Sequence, residues 1–272
     1  RFTITDYHGK NRWLTVPEIF IYSSNIGSVK MALDVGTTRQ KEYLHRLGLL
    51  TPATIELPEV GSPLVPSPWR EINTMTIAFG HGIAVTPVQM AQSTAAAING
   101  GILPRATLLA ALKNEAPKGV RVLKETTSAD MRRLMRLVVT DGTGSKAQAK
   151  GYLVGGKTGT AEKIGGRGYR AKALVSSFAG AFPINDPRYV VLVIVDEPHG
   201  NKSSFGYATG GWVAAPVVSN VVSRAAPILG VAPVDEDAPE IERALHVDIP
   251  EAKAKHKPKA KGRRSGDQVA SF

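Results

Sequence analysis

The chain contains the sequence Gly155-Gly156-Lys157-Thr158-Gly159-Thr160-Ala161. A lysine, two hydroxyl side chains and a glycine stand together here, which is a concentrated set of groups for binding an anion against a backbone. At average residue usage, Lys-Thr-Gly-Thr arises by chance in well under roughly one chain in a hundred of this length. The stretch also opens the first of three closely spaced strand-like segments. We therefore interpret it as a functional strand beside a cleft.

The strand-like segments follow one another closely toward the C-terminus. A tight turn at Asn185-Asp186-Pro187 separates the second from the third. Residues 190–195 are continuously apolar, which is typical of a strand buried on both faces. These patterns predict strands over residues 152–161, 174–182 and 188–196.

Helical periodicity prevails before and after these strands. Ser24 or Asn25 caps the first predicted helix, and Pro87 stands in the first turn of a later one. Residues 50–70 are rich in proline and predict an extended loop. In the helix over 128–139 we expect Met131, Leu134, Met135 and Val138 to face inward. The predicted helices cover residues 24–35, 37 or 38 to 47, 86–98, 128–139 and 212–229.

The composition fits one large domain followed by a tail. The 272 residues are 43% hydrophobic and 21% charged, as in a globular protein that can bury a full core. There is no cysteine, so neither a disulfide framework nor a thiolate metal site is available. We predict a domain over residues 1–232 and an acidic, then basic tail over 233–272. We expect that tail to be disordered and to hold no helix.

The charge is concentrated at the C-terminus. The net charge is +11, and the seven Lys/Arg and two acids of residues 251–272 contribute +5 of it. A solvated end is favoured over a contact with anionic lipid, nucleic acid or an acidic partner, because the segment has no apolar periodicity. No run of about 18 apolar residues and no signal-peptide pattern is present. We therefore expect any membrane anchor to lie upstream of Arg1.

Each residue of the Lys-Thr-Gly-Thr stretch suits a separate task. The ammonium of Lys157 supplies positive potential near a carboxylate and can hold a neighbouring hydroxyl. The hydroxyls of Thr158 and Thr160 can donate hydrogen bonds to a substrate carboxylate. Gly159 lets a substrate lie close to the backbone, and the next N–H, from Thr160, can stabilise an oxyanion.

The segment Ser23-Ser24-Asn25 has two interpretations. Taken alone, it is most often an N-cap before a helix. Combined with the Lys-Thr-Gly-Thr strand, it predicts that Ser23 relays a proton between Lys157 and a leaving nitrogen, while Asn25 holds a peptide carbonyl. We favour the second interpretation for the pair of motifs.

The remaining motif searches exclude several classes of protein. The six histidines show no metal-ligand spacing, and neither a phosphate-binding loop nor a dinucleotide fingerprint is present. We predict a structural role for His81. We expect no metal, no cofactor and no nucleic-acid partner.

Four segments together resemble the transpeptidase domain of class B penicillin-binding proteins. The resemblance covers roughly residues 10–232, and its order and separations are similar to those of the cell-division member; an elongation member stays open. The family shares Ser-x-Asn and Lys-Thr-Gly motifs with the serine β-lactamases. The matching segments are residues 15–27, 77–89, 155–161 and 214–217.

The resemblance implies an α+β fold of the penicillin-binding protein and serine β-lactamase type, with helices on both faces of an antiparallel sheet. It implies a serine that attacks the penultimate D-Ala of a peptidoglycan stem peptide, forms an acyl-enzyme and passes the acyl group to an amine of a neighbouring stem. β-Lactams trap that serine. The implied setting is the periplasmic side of the bacterial inner membrane, with membrane proteins of the division machinery as partners.

The third family motif, Ser-x-x-K with its nucleophilic serine, is absent. None of the serines in the sequence has a lysine three positions later. We therefore expect the domain to be N-terminally incomplete, with its nucleophile upstream of Arg1, and this chain alone to be inactive. Ser23, Asn25, Lys157, Thr158, Gly159 and Thr160 match the family's site by position.

Three other functions compete with this one. A serine β-lactamase is disfavoured by Ser-Ser-Asn in place of Ser-Asp-Asn and by the surrounding match. A D,D-carboxypeptidase, in which water replaces the acceptor amine, stays open. So does a non-catalytic penicillin-binding or scaffold module.

Overall fold

The structure is a computed structural model that describes residues 3–110, 119–165 and 168–249. Its strands are β1 Ile102–Pro104, β2 Gly119–Arg121, β3 Gly155–Gly165, β4 Gly168–Phe182 and β5 Tyr189–Asp196. Its helices are α1 Val16–Tyr22, α2 Asn25–Val35, α3 Thr37–Arg46, α4 Glu71–Ile77, α5 Pro87–Ile98, α6 Glu125–Asp141, α7 Gly210–Val213, α8 Ala215–Ile228 and α9 Pro239–Leu245.

The main sheet is antiparallel, with its strands in the order β3-β4-β5. Thr158 on β3 pairs with Phe178 on β4, which in turn pairs with Val193 on β5. All three predicted strands are confirmed, and β3 is an edge strand of the part that the structure describes. β3 starts at Gly155 and not at residue 152, because its pairing with β4 begins at Gly155, opposite Ala181, whereas Tyr152 forms an isolated bridge with Ala149.

Helices pack on both faces of this sheet, as the family resemblance implied. Phe178 and Phe182 point to one face and pack with Val218 and Val222 of α8. Ala181 points to the other face, where it joins a second cluster with Met135 of α6. The alternation follows from the period of two along a strand. The fold is therefore α+β, with the core divided between the two faces of β4.

Two sequence-based details of this core are wrong. Residues 190–195 are not buried on both faces: Ile194 is 47% exposed, because β5 has only β4 beside it within the described residues. The closing helix predicted over 212–229 is two helices, α7 and α8. Pro216 at the first turn of α8 explains the break, because it has no N–H to donate to a preceding turn.

Most of the other helices precede the main sheet in the sequence. The predictions for α2, α3, α5 and α6 are confirmed, although Met131 and Leu134 are only half-buried. Thr74 of α4 joins this helical part of the molecule together: its hydroxyl lies 2.8 Å from that of Thr37 and 3.0 Å from the indole nitrogen of Trp69.

No helix in the described ranges has both the length and the apolar character to cross a membrane.

The segment 233–249, which we call the C-terminal strap, is packed against the domain. Its helix α9 contradicts our prediction that no helix follows residue 233, because Ile241 and Leu245 pack against the second core cluster. Seven residues are too few to show a reliable apolar stripe. The basic run within 250–272, predicted to be disordered, lies outside the described residues.

An ion pair holds the strap in place. Arg136 of α6, with only 9% of its side chain exposed, donates to Glu236 at 2.7 Å and to the carbonyl oxygen of Val154 at 3.0 Å. Glu236 also accepts from the N–H of Gly151 at 3.2 Å. The strap is therefore bonded to the loop that leads directly into β3.

We predict that Glu236→Gln lowers the free energy of unfolding by about 2 kcal/mol, because it leaves the Arg136 charge without its partner in a largely buried position. Glu240→Gln, at an exposed position of the same strap, is the matched control. Urea unfolding of both variants measures the difference. Equal stabilities of the two variants would contradict the role of the strap.

Candidate active site

Ser23 lies in the sharp turn between α1 and α2. Its backbone adopts the left-handed conformation, with φ 55° and ψ 48°, which residues other than glycine seldom occupy. Caps on the two helices fix this turn. Thr15 and Glu18 form a capping box at the start of α1, and Ser24 accepts from the N–H of Gly27 at 3.0 Å at the start of α2. The surrounding helices therefore stabilise an otherwise unfavourable conformation at Ser23.

An ion pair anchors the first turn of α1. Arg12 donates to the buried carboxylate of Glu18, and this hydrogen bond is the main reason that the pKa of Glu18 falls to about 2. Burial opposes the shift, and hydrogen bonds from Thr15 reinforce it. The carboxylate therefore stays ionised at neutral pH, where it keeps the start of α1 in place.

Lys157 of β3 reaches the Ser23 turn. Its ammonium donates to the hydroxyl of Ser23 at 2.7 Å and to the carbonyl oxygen of Thr158 at 3.1 Å. Burial lowers the pKa of Lys157 to about 8, because desolvation disfavours the charged form. Two residues far apart in the sequence thus meet as a hydroxyl and an amine that exchanges its proton close to neutral pH.

Asn25, in the first turn of α2, is held by the N-terminal segment. Its side-chain amide donates to the carbonyl oxygen of Thr5 at 2.9 Å. The neighbouring Asp6 accepts from the Ser24 hydroxyl at 3.0 Å and from the N–H of Ile26 at 3.0 Å. The carboxylate therefore sits at the helix N-terminus, which favours negative charge. One N–H of the Asn25 amide is engaged, and the second can reach another partner.

The two threonines of β3 bind neighbouring elements. The Thr158 hydroxyl lies 2.6 Å from the hydroxyl of Thr143. The Thr160 hydroxyl accepts from the N–H of Gly210, at the start of α7, at 3.0 Å, so its own proton can point elsewhere. The structure thus brings Lys157, Thr158 and Thr160 along one edge strand, with Ser23 within hydrogen-bonding distance of the lysine.

Gly159 also has a close neighbour within the protein. A Cβ atom there would lie 2.5 Å from the hydroxyl oxygen of Ser177 on β4. The carbonyl oxygen of Gly159 also lies against Gly210, where a Cβ would come within 2.5 Å of it. Backbone packing therefore explains the glycine at position 210. At position 159 the Ser177 hydroxyl could rotate away from a larger residue, so the role of Gly159 beside a substrate stays a prediction.

The sequence-based reasoning missed Thr143 and Gly210, which contact the β3 threonines. The only local signal for Thr143 was its position between two glycines after α6.

His81 is half-buried, and burial lowers its pKa, although the nearby negative charge of Glu162 acts in the opposite direction. In the described ranges, no three acidic or histidine side chains are grouped so that they could hold a metal ion.

Comparison with known proteins identifies the family to which this arrangement belongs. Residues 1–223 match the penicillin-binding protein transpeptidase domain. The chain belongs to this family. It is 44% identical over 238 residues to the probable peptidoglycan D,D-transpeptidase FtsI of Caulobacter vibrioides, covering 84% of this chain and 40% of that protein. It is 34% identical to stage V sporulation protein D of Bacillus subtilis, covering 83% of this chain and 36% of that protein.

Solved structures agree with this assignment. The apo transpeptidase domain of penicillin-binding protein 3 from Burkholderia pseudomallei superposes with a TM-score of 0.77 at 35% identity, over 85% of this chain and 69% of that one. Penicillin-binding protein 3 from Mycobacterium tuberculosis, in complex with ampicillin, gives a TM-score of 0.77 at 26% identity, over 88% of this chain and 56% of that one. The chain spans 36% to 40% of the length of the two curated relatives above.

We predict that Lys157 titrates near pH 8, well below an ordinary lysine, and that Ser23→Ala moves its pKa further down. The Ser23 hydroxyl accepts a hydrogen bond from the ammonium and so favours the charged form, which the substitution removes. Competitive acetylation across pH, read residue by residue with mass spectrometry, measures both values. An ordinary lysine pKa for Lys157, or a higher Lys157 pKa in the Ser23→Ala variant, would contradict the burial of Lys157 or its hydrogen bond to Ser23, respectively.

Proposed function

We propose that the protein containing this chain is a peptidoglycan D,D-transpeptidase that cross-links stem peptides through a serine acyl-enzyme during septal wall synthesis. The observation that carries the proposal is the 2.7 Å contact between Lys157 and Ser23, with the hydroxyls of Thr158 and Thr160 on the same edge strand. Family membership and the similarity to a protein named FtsI support it.

Recognition of the donor begins at its terminal carboxylate. In the proposal, this anion binds beside the positive charge of Lys157 and accepts hydrogen bonds from Thr158 and Thr160. Asn25 donates its second N–H to a peptide carbonyl of the stem. The terminal D-Ala–D-Ala unit then lies extended along β3, with its scissile carbonyl near the Ser23 turn.

Acylation breaks the bond between the two terminal D-Ala residues. A serine of the family's Ser-x-x-K motif, which we place upstream of this chain, attacks the penultimate carbonyl carbon and gives its hydroxyl proton to the lysine of that motif. The N–H of Thr160 stabilises the oxyanion that forms. Ser23 gives its proton to the leaving nitrogen of D-Ala and regains one from Lys157, whose lowered pKa makes that transfer favourable.

The second half of the reaction uses the same groups in reverse. The amine of a neighbouring stem attacks the acyl-enzyme carbonyl and loses a proton through Ser23 to Lys157. The bond to the serine breaks as the lysine of the Ser-x-x-K motif returns the proton to the serine oxygen, and a new amide cross-links the two stems. Water in place of the amine would make the enzyme a D,D-carboxypeptidase. A β-lactam acylates the same serine in this proposal, and penicillin-binding protein 3 of Mycobacterium tuberculosis has been solved as a complex with ampicillin.

The cellular setting follows from the proposed substrate. Stem peptides are cross-linked outside the cytoplasmic membrane, so we infer that the domain faces the periplasm of a bacterium and is anchored in the inner membrane. We further infer that membrane proteins of the division machinery are its partners. The name of the Caulobacter vibrioides relative supports the septal role over an elongation role.

The decisive experiment supplies full-length protein with a donor peptide ending in D-Ala–D-Ala and an acceptor amine, and follows the products by mass spectrometry. We expect free D-Ala and a donor–acceptor amide. Hydrolysis alone would identify a carboxypeptidase, and the absence of any acyl-enzyme would favour a binding module.

The same assay tests the assigned residues. We expect Lys157→Ala to slow acylation by at least about 10²-fold, the scale of losing one electrostatic contact with a transition state. Lys150→Ala, at an exposed position shortly before β3, is the matched control and keeps the wild-type rate. A change of about tenfold or less in Lys157→Ala would count against its role.

A further inference from the structure

The loop 142–144, between α6 and the short 3-10 helix Ser145–Ala147, touches the site without belonging to either sequence motif. Its central residue, Thr143, is exposed and places its hydroxyl oxygen 2.6 Å from that of Thr158. A distance this short is that of a well-formed bond between two hydroxyls. Thr158 is therefore oriented by a partner that lies outside β3.

Three elements that border the site, α1, β3 and α7, converge on Thr143. Its N–H donates to the carbonyl oxygen of Ile21 at 3.4 Å, in the last turn of α1 just before Ser23. Its own carbonyl oxygen lies against Gly211 of α7, where an added Cβ would approach to 2.4 Å. The backbone of Thr143 is thus fixed between α1 and α7, and its hydroxyl is directed at β3.

The direction of the hydrogen bond follows from the number of protons available. Each hydroxyl has one proton, so only one member of the pair donates to the other. A carboxylate is an acceptor only, so Thr158 has to use its proton on a bound carboxylate. Thr143 must then donate to Thr158. The result is a chain from Thr143 to Thr158 to the anion, in which each bond strengthens the next.

We propose that Thr143 is a positioning residue, which donates its hydroxyl proton to Thr158 and so directs the Thr158 proton at the carboxylate of the donor peptide or of a β-lactam. The inference rests on the proposed function, because it needs a carboxylate-bearing substrate on β3. Thr143 touches no reacting atom in this account, and it acts only through Thr158.

The proposal predicts a loss in binding more than in chemistry. The carboxylate is bound in the ground state and in the transition state alike, so losing one donor raises the dissociation constant of the non-covalent complex. For a fluorescent penicillin and full-length protein, we expect Thr143→Val to raise that constant about 5- to 10-fold. The limiting acylation rate stays within about twofold of wild type.

A double-variant cycle separates this role from a general loss of structure. In a Thr158→Val background, adding Thr143→Val changes the second-order acylation rate by less than about twofold, because the mediating hydroxyl is already absent. Thr143→Ser keeps the hydroxyl and restores the rate to within about threefold of wild type. Thr140→Val, at an exposed position just before the loop, is the matched control for a threonine-to-valine change.

Each outcome decides the question. If Thr143→Val does not fold, Thr143→Ala takes its place in the cycle. The role of Thr143 is overturned if Thr143→Val lowers the second-order acylation rate as much in the Thr158→Val background as in the wild type. It is also overturned if Thr143→Val does not lower that rate at all. Either result leaves the proposed function of the enzyme intact. A wild-type protein that penicillin does not acylate overturns the proposed function and this inference together.

Discussion

One hydrogen bond, from the Lys157 ammonium to the Ser23 hydroxyl, joins the sheet of this molecule to its helical part at the site. For this bond to form, an edge strand must present a lysine to a helical turn, and the turn must hold a serine in the left-handed conformation. Burial adds a second constraint, because a desolvated ammonium needs hydrogen-bond acceptors around it. The same burial lowers the pKa of Lys157 to about 8, which turns a purely electrostatic group into one that can also pass a proton. Structure and chemistry therefore depend on the same contact.

The rest of the fold keeps β3 in the position that this contact requires. Phe178, paired with Thr158, is fully buried against α8, so the strand beside the site is fixed by core packing. On the opposite face, α6 packs on β3, and its Arg136 binds both Glu236 of the strap and the residue just before the strand. A packed interior transmits small shifts because it has few voids to absorb them. The strap is thus joined, through Arg136, to the residue from which β3 starts.

The residues of the candidate site were easier to predict than the residues and elements that contact them. Lys-Thr-Gly-Thr and Ser-Ser-Asn are local patterns with few chance occurrences in combination, and the strand and helix periods around them were clear enough to place them on β3 and at the start of α2. The partners of those residues were not predictable. Thr143 has no local signature beyond the two glycines that flank it, since its contact with Thr158 depends on how the α6 loop folds back over the sheet. Likewise, the strap that carries α9 is held by an ion pair between Glu236 and a distant arginine, and the exposure of Ile194 depends on which strand lies beside β5. These are consequences of tertiary structure, which hydrophobic periodicity does not encode.

The central claim is that Ser23 and Lys157 work as one unit, and a double-variant cycle on acylation of the full-length protein by penicillin tests it most directly. If the two side chains form a single proton relay, Ser23→Ala and Lys157→Ala together slow acylation no more than about threefold beyond the slower single variant. Independent roles would instead multiply, and the double variant would lose the product of the two single effects. That multiplicative result would contradict the account, because the 2.7 Å contact would then have no part in the reaction.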